Sequence, residues 1–66
     1  MNIILYSTHC PKCEVLEKKL KSKNIIYTEV NDVNVMLEKG FTQVPILECD
    51  GILMDFKKAN DWINQQ

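Results

Sequence analysis

Arginine is absent from the sequence, and all eight basic residues are lysines. The planar forks that recognise phosphate and carboxylate groups bidentately are therefore missing. The formal net charge of −1 gives no field that would draw nucleic acid or an acidic membrane surface. Neither is expected as a partner. Glycine and proline occur twice each, too sparsely for a linker or a low-complexity segment. Long apolar runs are lacking too. The run that includes Met1 to Tyr6 is too short for a signal-peptide core or a membrane span, and no basic segment precedes it. A cytoplasmic protein is expected. Finally, three cysteines are an odd number, which argues against a stapled secreted scaffold and for thiols used chemically in a reducing compartment.

What is present fits one small domain spanning residues 1–66, with 45% hydrophobic and 26% charged residues. A chain of this length buries only about 60% of the surface it exposes when unfolded. Its chemistry centres on Cys10-Pro11-Lys12-Cys13. Pro11 favours the first position of a helix, which places Cys10 at the N-terminus, where free backbone N–H groups and the helix dipole stabilise a thiolate. Cys13 falls one turn further in, shielded from solvent yet close enough to attack a mixed disulfide on Cys10. Lys12 puts a positive charge inside the motif, which also favours thiolate.

The remaining chain sorts into short elements. Asn2 to Tyr6 reads as a strand covered on both faces. Pro11 to Lys23 reads as a helix with Cys13, Leu16 and Leu20 turned to the core, and with Glu14–Lys18 and Glu17–Lys21 as solvent-side pairs. Asn24 suits a left-handed cap. Ile25 to Val30 is rich in β-formers, with Ile25, Tyr27 and Glu29 on one face and Ile26, Thr28 and Val30 on the other. A short helix follows, capped by Asn31 or Asp32, bearing Val33, Met36 and Leu37 on one side and stopped by Gly40. Ile46 to Cys49 and Ile52 to Met54 flank Asp50-Gly51, a strong hairpin signal. Asp55 caps a last helix in which Phe56, Ala59 and Ile63 share a face bordered by Trp62. The order is βαβαββα, an α/β chain.

A cysteine pair at the first strand-to-helix turn, Thr42-Gln43-Val44-Pro45 before the third strand and Asp50-Gly51 in a terminal hairpin together resemble the thioredoxin fold in its minimal, glutaredoxin-like form. The resemblance covers essentially the whole chain. It implies a four-stranded mixed sheet flanked by three helices and a disulfide reductase that needs no cofactor. It further implies that Cys10 is the nucleophile and Cys13 the resolving thiol, with Pro45 cis and facing them and Val44 offering its backbone to a substrate. Pro11, Lys12 and Asp55 complete the expected substrate-binding set. The expected partner is a protein or small molecule carrying a disulfide, met by a monomer. The chain is also similar to redoxins that serve ribonucleotide reductase and are recharged by thioredoxin reductase, whereas other members use glutathione. It departs from glutathione users in having Ser7-Thr8-His9 before the motif, Lys12 within it, and Asp55-Phe56 followed by Lys57-Lys58 where a Gly-Gly and an acidic residue are usual. Leu53-Met54-Asp55-Phe56 likewise replaces the Trp-Ser-Gly-Phe of the redoxins.

The rival reading of the same cysteines is a non-enzymatic module holding zinc or an iron–sulfur cluster. His9 and Cys49 would have to complete a zinc set. Cys49, however, lies four residues beyond Pro45, a distance of ~13 Å along a strand. Cys49 reads as a small hydrophobe, His9 as an exposed loop residue, and Phe41, Phe56, Trp62 and Tyr6 as core.

Overall fold

The structure is a computed structural model and describes residues 2–66. Seven elements follow one another: β1 (Ile3–Tyr6), α1 (Pro11–Ser22), β2 (Thr28–Val30), α2 (Val33–Glu38), β3 (Ile46–Cys49), β4 (Ile52–Met54) and α3 (Phe56–Asn64). The strands form one mixed sheet in the order β2-β1-β3-β4. β1 runs parallel to β2 and antiparallel to β3, and β3 pairs antiparallel with β4. This is the minimal thioredoxin-like arrangement that the order of elements implies.

Strand alternation divides the core. Ile3 and Leu5 of β1, with Leu47 of β3 and Met54 of β4, meet Leu16 and Leu20 of α1 and Ala59 and Ile63 of α3. On the opposite face Tyr6, Ile46 and Met36 form a smaller cluster with Ile4, Val30, Val35, Phe41 and Val44 around it. α1 and α3 therefore cover one side of the sheet and α2 the other. No described helix is long and apolar enough to cross a membrane.

Two expectations are corrected here. In α2 the residue that accompanies Met36 is Val35, while Val33 and Leu37 are exposed. A helix of six residues has too few turns for spacing alone to decide which flank is covered. β2 is also shorter than the β-forming run, because the Ile25 amide donates to Leu20 O at the end of α1 instead of to a strand.

The ends of the elements are closed by local chemistry. Asn24 adopts φ +58 at the end of α1, as its short polar side chain allows. Asp50 and Gly51, at φ +49 and +87, give the two left-handed residues of the hairpin turn. The same Asp50 clasps the start of β1: its Oδ1 accepts the Asn2 N–H at 2.8 Å and its own N–H donates to Asn2 O at 2.9 Å. At the far end of α1, Lys19 Nζ donates to Asn64 Oδ1 at 3.1 Å and Lys23 Nζ to Gln66 O at 3.0 Å.

Candidate functional site

The register of β1 on β3 sets the position of the site. Tyr6 lies opposite Ile46, so the loop leaving β1 (residues 7–10) and the loop entering β3 (residues 41–45) meet at one end of the sheet. Thr8 and Val44 line a common cavity of about 200 Å³ with Met36, Phe41, Thr42 and Gln43. The Val44–Pro45 peptide bond is cis.

Ser7 continues the line of β1, its N–H donating to Val30 O at 3.0 Å, and is fully buried. Its hydroxyl oxygen accepts the N–H of His9 at 3.0 Å. His9 takes up φ +61, a left-handed turn that brings Cys10 to the head of α1. Cys10 is the N-cap, with φ −70 and ψ 165, and Pro11 begins the helix. The Cys10 sulfur accepts the Cys13 N–H at 3.3 Å, so it occupies the place that a capping oxygen takes in other helices.

The two sulfurs are 2.7 Å apart, and both cysteines are free. Exposure separates them: Cys13 is fully buried, whereas Cys10 is only half-buried. Burial pushes the Cys13 thiol up, but hydrogen bonds from the Cys10 and Ser7 side chains and from the backbone of Thr8 and Cys10 prevail and hold it below its ordinary value. Sequence reasoning directs these charge-stabilising contacts to Cys10; the folded chain directs several of them to Cys13. The two sulfurs are within hydrogen-bond reach of each other. Access distinguishes the sulfur that a group arriving from solvent can reach.

Lys12, Asp55, Pro45 and Cys49 each take a definite place. Lys12 Nζ lies 5.6 Å above the Phe56 ring, a cation–π contact that ties the motif to the start of α3. Asp55 caps α3, its Oδ1 accepting the Lys58 N–H at 2.9 Å. Pro45 is fully buried. Cys49 pairs with Ile3 and Ile52, three residues and roughly 10 Å along the strand from the Ile46 end. No described His, Asp or Glu joins the Cys10 and Cys13 sulfurs in a group of three ligand atoms.

Four residues at this end escape sequence reasoning. Ser7 is one; the others are Glu17, Glu29 and Asn31. Glu17 is not a solvent-side partner of Lys21: only 13% of its side chain is exposed, and its Oε1 lies 3.8 Å from His9 Nδ1. Glu29 Oε2 lies 3.4 Å from His9 Nε2. Asn31 Nδ2 donates both to Glu29 Oε2 and to Ser7 O at 2.8 Å. The signal for Glu29 is its alternation with Ile25 and Tyr27, which puts a carboxylate on the face covered by α1.

The low Cys13 value has a consequence for stability. A thiol whose folded value is depressed stabilises the fold fully above its unfolded value of about 8.5 and loses that contribution as pH falls through the folded value. Burial and the nearby Asp50 charge move Cys49 the opposite way, so the clean comparison is made in Cys49→Ser. Reduced Cys49→Ser should gain unfolding free energy between neutral pH and about 8.5 relative to its disulfide form, which has no thiol to titrate. Urea unfolding of both forms at several pH values checks this; parallel curves would remove the stabilised thiolate.

No family model matches the chain, and no solved structure matches it. A protein of Clostridium pasteurianum, described as "Uncharacterized glutaredoxin-like 8.6 kDa protein in rubredoxin operon", is 38% identical over 66 aligned positions, which span 86% of this chain and 88% of that one.

Proposed function

The chain belongs to the glutaredoxin-like proteins, and on that footing we propose that it is a thiol–disulfide oxidoreductase in which Cys10 attacks and Cys13 resolves. The observation that carries this reading is the pair of sulfurs 2.7 Å apart at a helix head, one reachable from solvent and one not. In the first step the Cys10 thiolate attacks one sulfur of the substrate disulfide and forms a mixed disulfide. The departing sulfur leaves as thiolate and takes a proton from solvent. Cys13, whose anion the Ser7 hydroxyl and nearby backbone favour, then attacks the Cys10 sulfur. That closes the Cys10–Cys13 disulfide and expels the second substrate thiol, so two electrons pass from the dithiol to the substrate.

Val44-Pro45 supplies the docking edge for a substrate backbone, beside the cavity that Thr8 and Val44 share. Protein disulfides, including that of a ribonucleotide reductase, are the proposed substrates of a chain acting as a single cytoplasmic domain. For recharging, the reading turns on the start of α3. Asp55 already occupies an amide there with its own carboxylate, and Phe56 is engaged with Lys12. Glutathione, which brings carboxylates of its own, meets a helix end that Asp55 already caps, with the attraction of Lys57 and Lys58 opposing the repulsion of that carboxylate. We therefore expect weak recycling by glutathione and faster recycling by a flavoprotein thioredoxin reductase. Offering each donor separately to the oxidised protein tests this. Equal rates, unimproved by Asp55→Gly with Phe56→Gly, would overturn the assignment of the reductant.

A further inference from the structure

His9 holds a left-handed backbone that costs an L-residue energy unless its surroundings compensate. Compensation comes from two elements distant in sequence. Glu17 of α1 and Glu29 of β2 bracket the imidazole, one carboxylate near each ring nitrogen at 3.8 and 3.4 Å. Asn31 then connects Glu29 to the carbonyl of Ser7, whose hydroxyl oxygen receives the His9 amide. The turn before Cys10 is thus held from its side chain and from its backbone at once.

We propose that Glu17, Glu29 and His9 form a latch that fixes this turn, and that His9 and Glu29 are positioning residues which keep the Cys10 sulfur at the head of α1. The proposal rests on Cys10 being the attacking thiol. With the latch closed, Cys10 sits where its sulfur accepts the Cys13 N–H. With it open, His9 relaxes toward an ordinary negative φ, and Cys10 leaves the capping position. Burial, followed by the Glu29 charge, pushes Glu17 up, whereas the Asn31 hydrogen bond brings Glu29 down against the effect of its own burial. Of the two carboxylates, Glu29 is the one nearer His9. The other titratable groups facing the pair are Lys21 from α1, whose charge favours ionisation of both, and Tyr27, whose hydroxyl both carboxylates hold above its ordinary value after burial has raised it.

In Glu29→Gln the sign of one measurement separates the latch from a plain charge effect. Through space, removing a carboxylate near Cys10 makes its thiolate easier to form and its alkylation faster. Loss of the latch makes it slower. The experiment is the rate of carboxamidomethylation of Cys10, located by peptide mass spectrometry, against pH in the reduced protein and in Glu29→Gln and His9→Asn. Gln is isosteric with Glu, and Asn tolerates positive φ, so both variants should fold. Each should slow Cys10 at neutral pH by roughly three- to thirtyfold, the scale of one lost cap contact, and move its pH midpoint upward. The double variant should be no slower than either single one, because both break the same latch. Faster alkylation, an unchanged profile or additive losses would each overturn the proposal. A wild-type protein in which Cys13 is alkylated before Cys10 would instead refute the assignment of the nucleophile.

Discussion

Cys10→Ser will reduce disulfides no faster than the uncatalysed background, because the hydroxyl that replaces the thiolate is a poor nucleophile toward sulfur. Cys13→Ser should behave differently. It keeps the half-buried sulfur proposed to attack and loses only the fully buried one proposed to release the product. It should therefore accumulate a stable mixed disulfide between Cys10 and one half of the substrate, visible as a mass increase that dithiothreitol removes. Cys49→Ser should turn over at nearly the rate of the unaltered chain, since Cys49 sits opposite Ile3 at the far end of the sheet. Substantial reduction by Cys10→Ser, or a mixed disulfide on Cys13, would exchange the two roles. Loss of turnover in a folded Cys49→Ser would require a three-thiol mechanism.

The second large effect is on stability. Leu47 is fully buried on an inner strand, beside Leu5 of β1 and Met54 of β4 and beneath α1 and α3. Truncating such a leucine removes transfer energy and leaves a cavity, typically about 2–5 kcal/mol. At roughly 0.05–0.15 kcal/mol per residue, a chain of this length holds only about 3–10 kcal/mol in total. Leu47→Ala should thus lose a large share of its stability and move its urea midpoint down by about 2 M or more, given a slope near 1 kcal/mol per molar for so small a domain. Ile52 on β4 has 67% of its surface exposed, and Ile52→Ala should change stability by less than about 0.5 kcal/mol. Similar midpoints for the two variants would mean that the buried face of β3 is not where the structure has it.

These two predictions also mark what can be read from residues alone. The leucines of the core announce themselves by period: Leu16 and Leu20 recur along a helix, and Leu47 sits in a run beside a hairpin turn. The cysteine pair is equally legible, since Pro11 and the preceding apolar strand fix its place at the head of a helix. What stays hidden depends on pairs far apart in sequence. Asn31 reaches Ser7 across 24 positions, and Glu29 reaches His9 across 20. No local period records either contact. Glu17 is hidden for another reason. Its spacing to Lys21 satisfies a surface pattern, yet its flank of α1 faces Glu29 and His9, so two environments compete for one side chain and tertiary geometry decides. α2 is ambiguous because fewer than two turns leave Val33, Val35 and Leu37 with equivalent claims on the core.

The fastenings at the other end of the molecule have a practical consequence. Asp50 clasps Asn2 where β1 begins, and Lys19 and Lys23 at the close of α1 hold Asn64 and Gln66. Both ends of the described chain are thus gathered away from the head of α1, where Cys10 is half-buried. A tether attached near either of these ends would leave the head of α1 on the side away from its support. The protein could then be anchored on an electrode, or joined to a reporter, near Asn2 or near Gln66, and Cys10 would remain accessible from the solution.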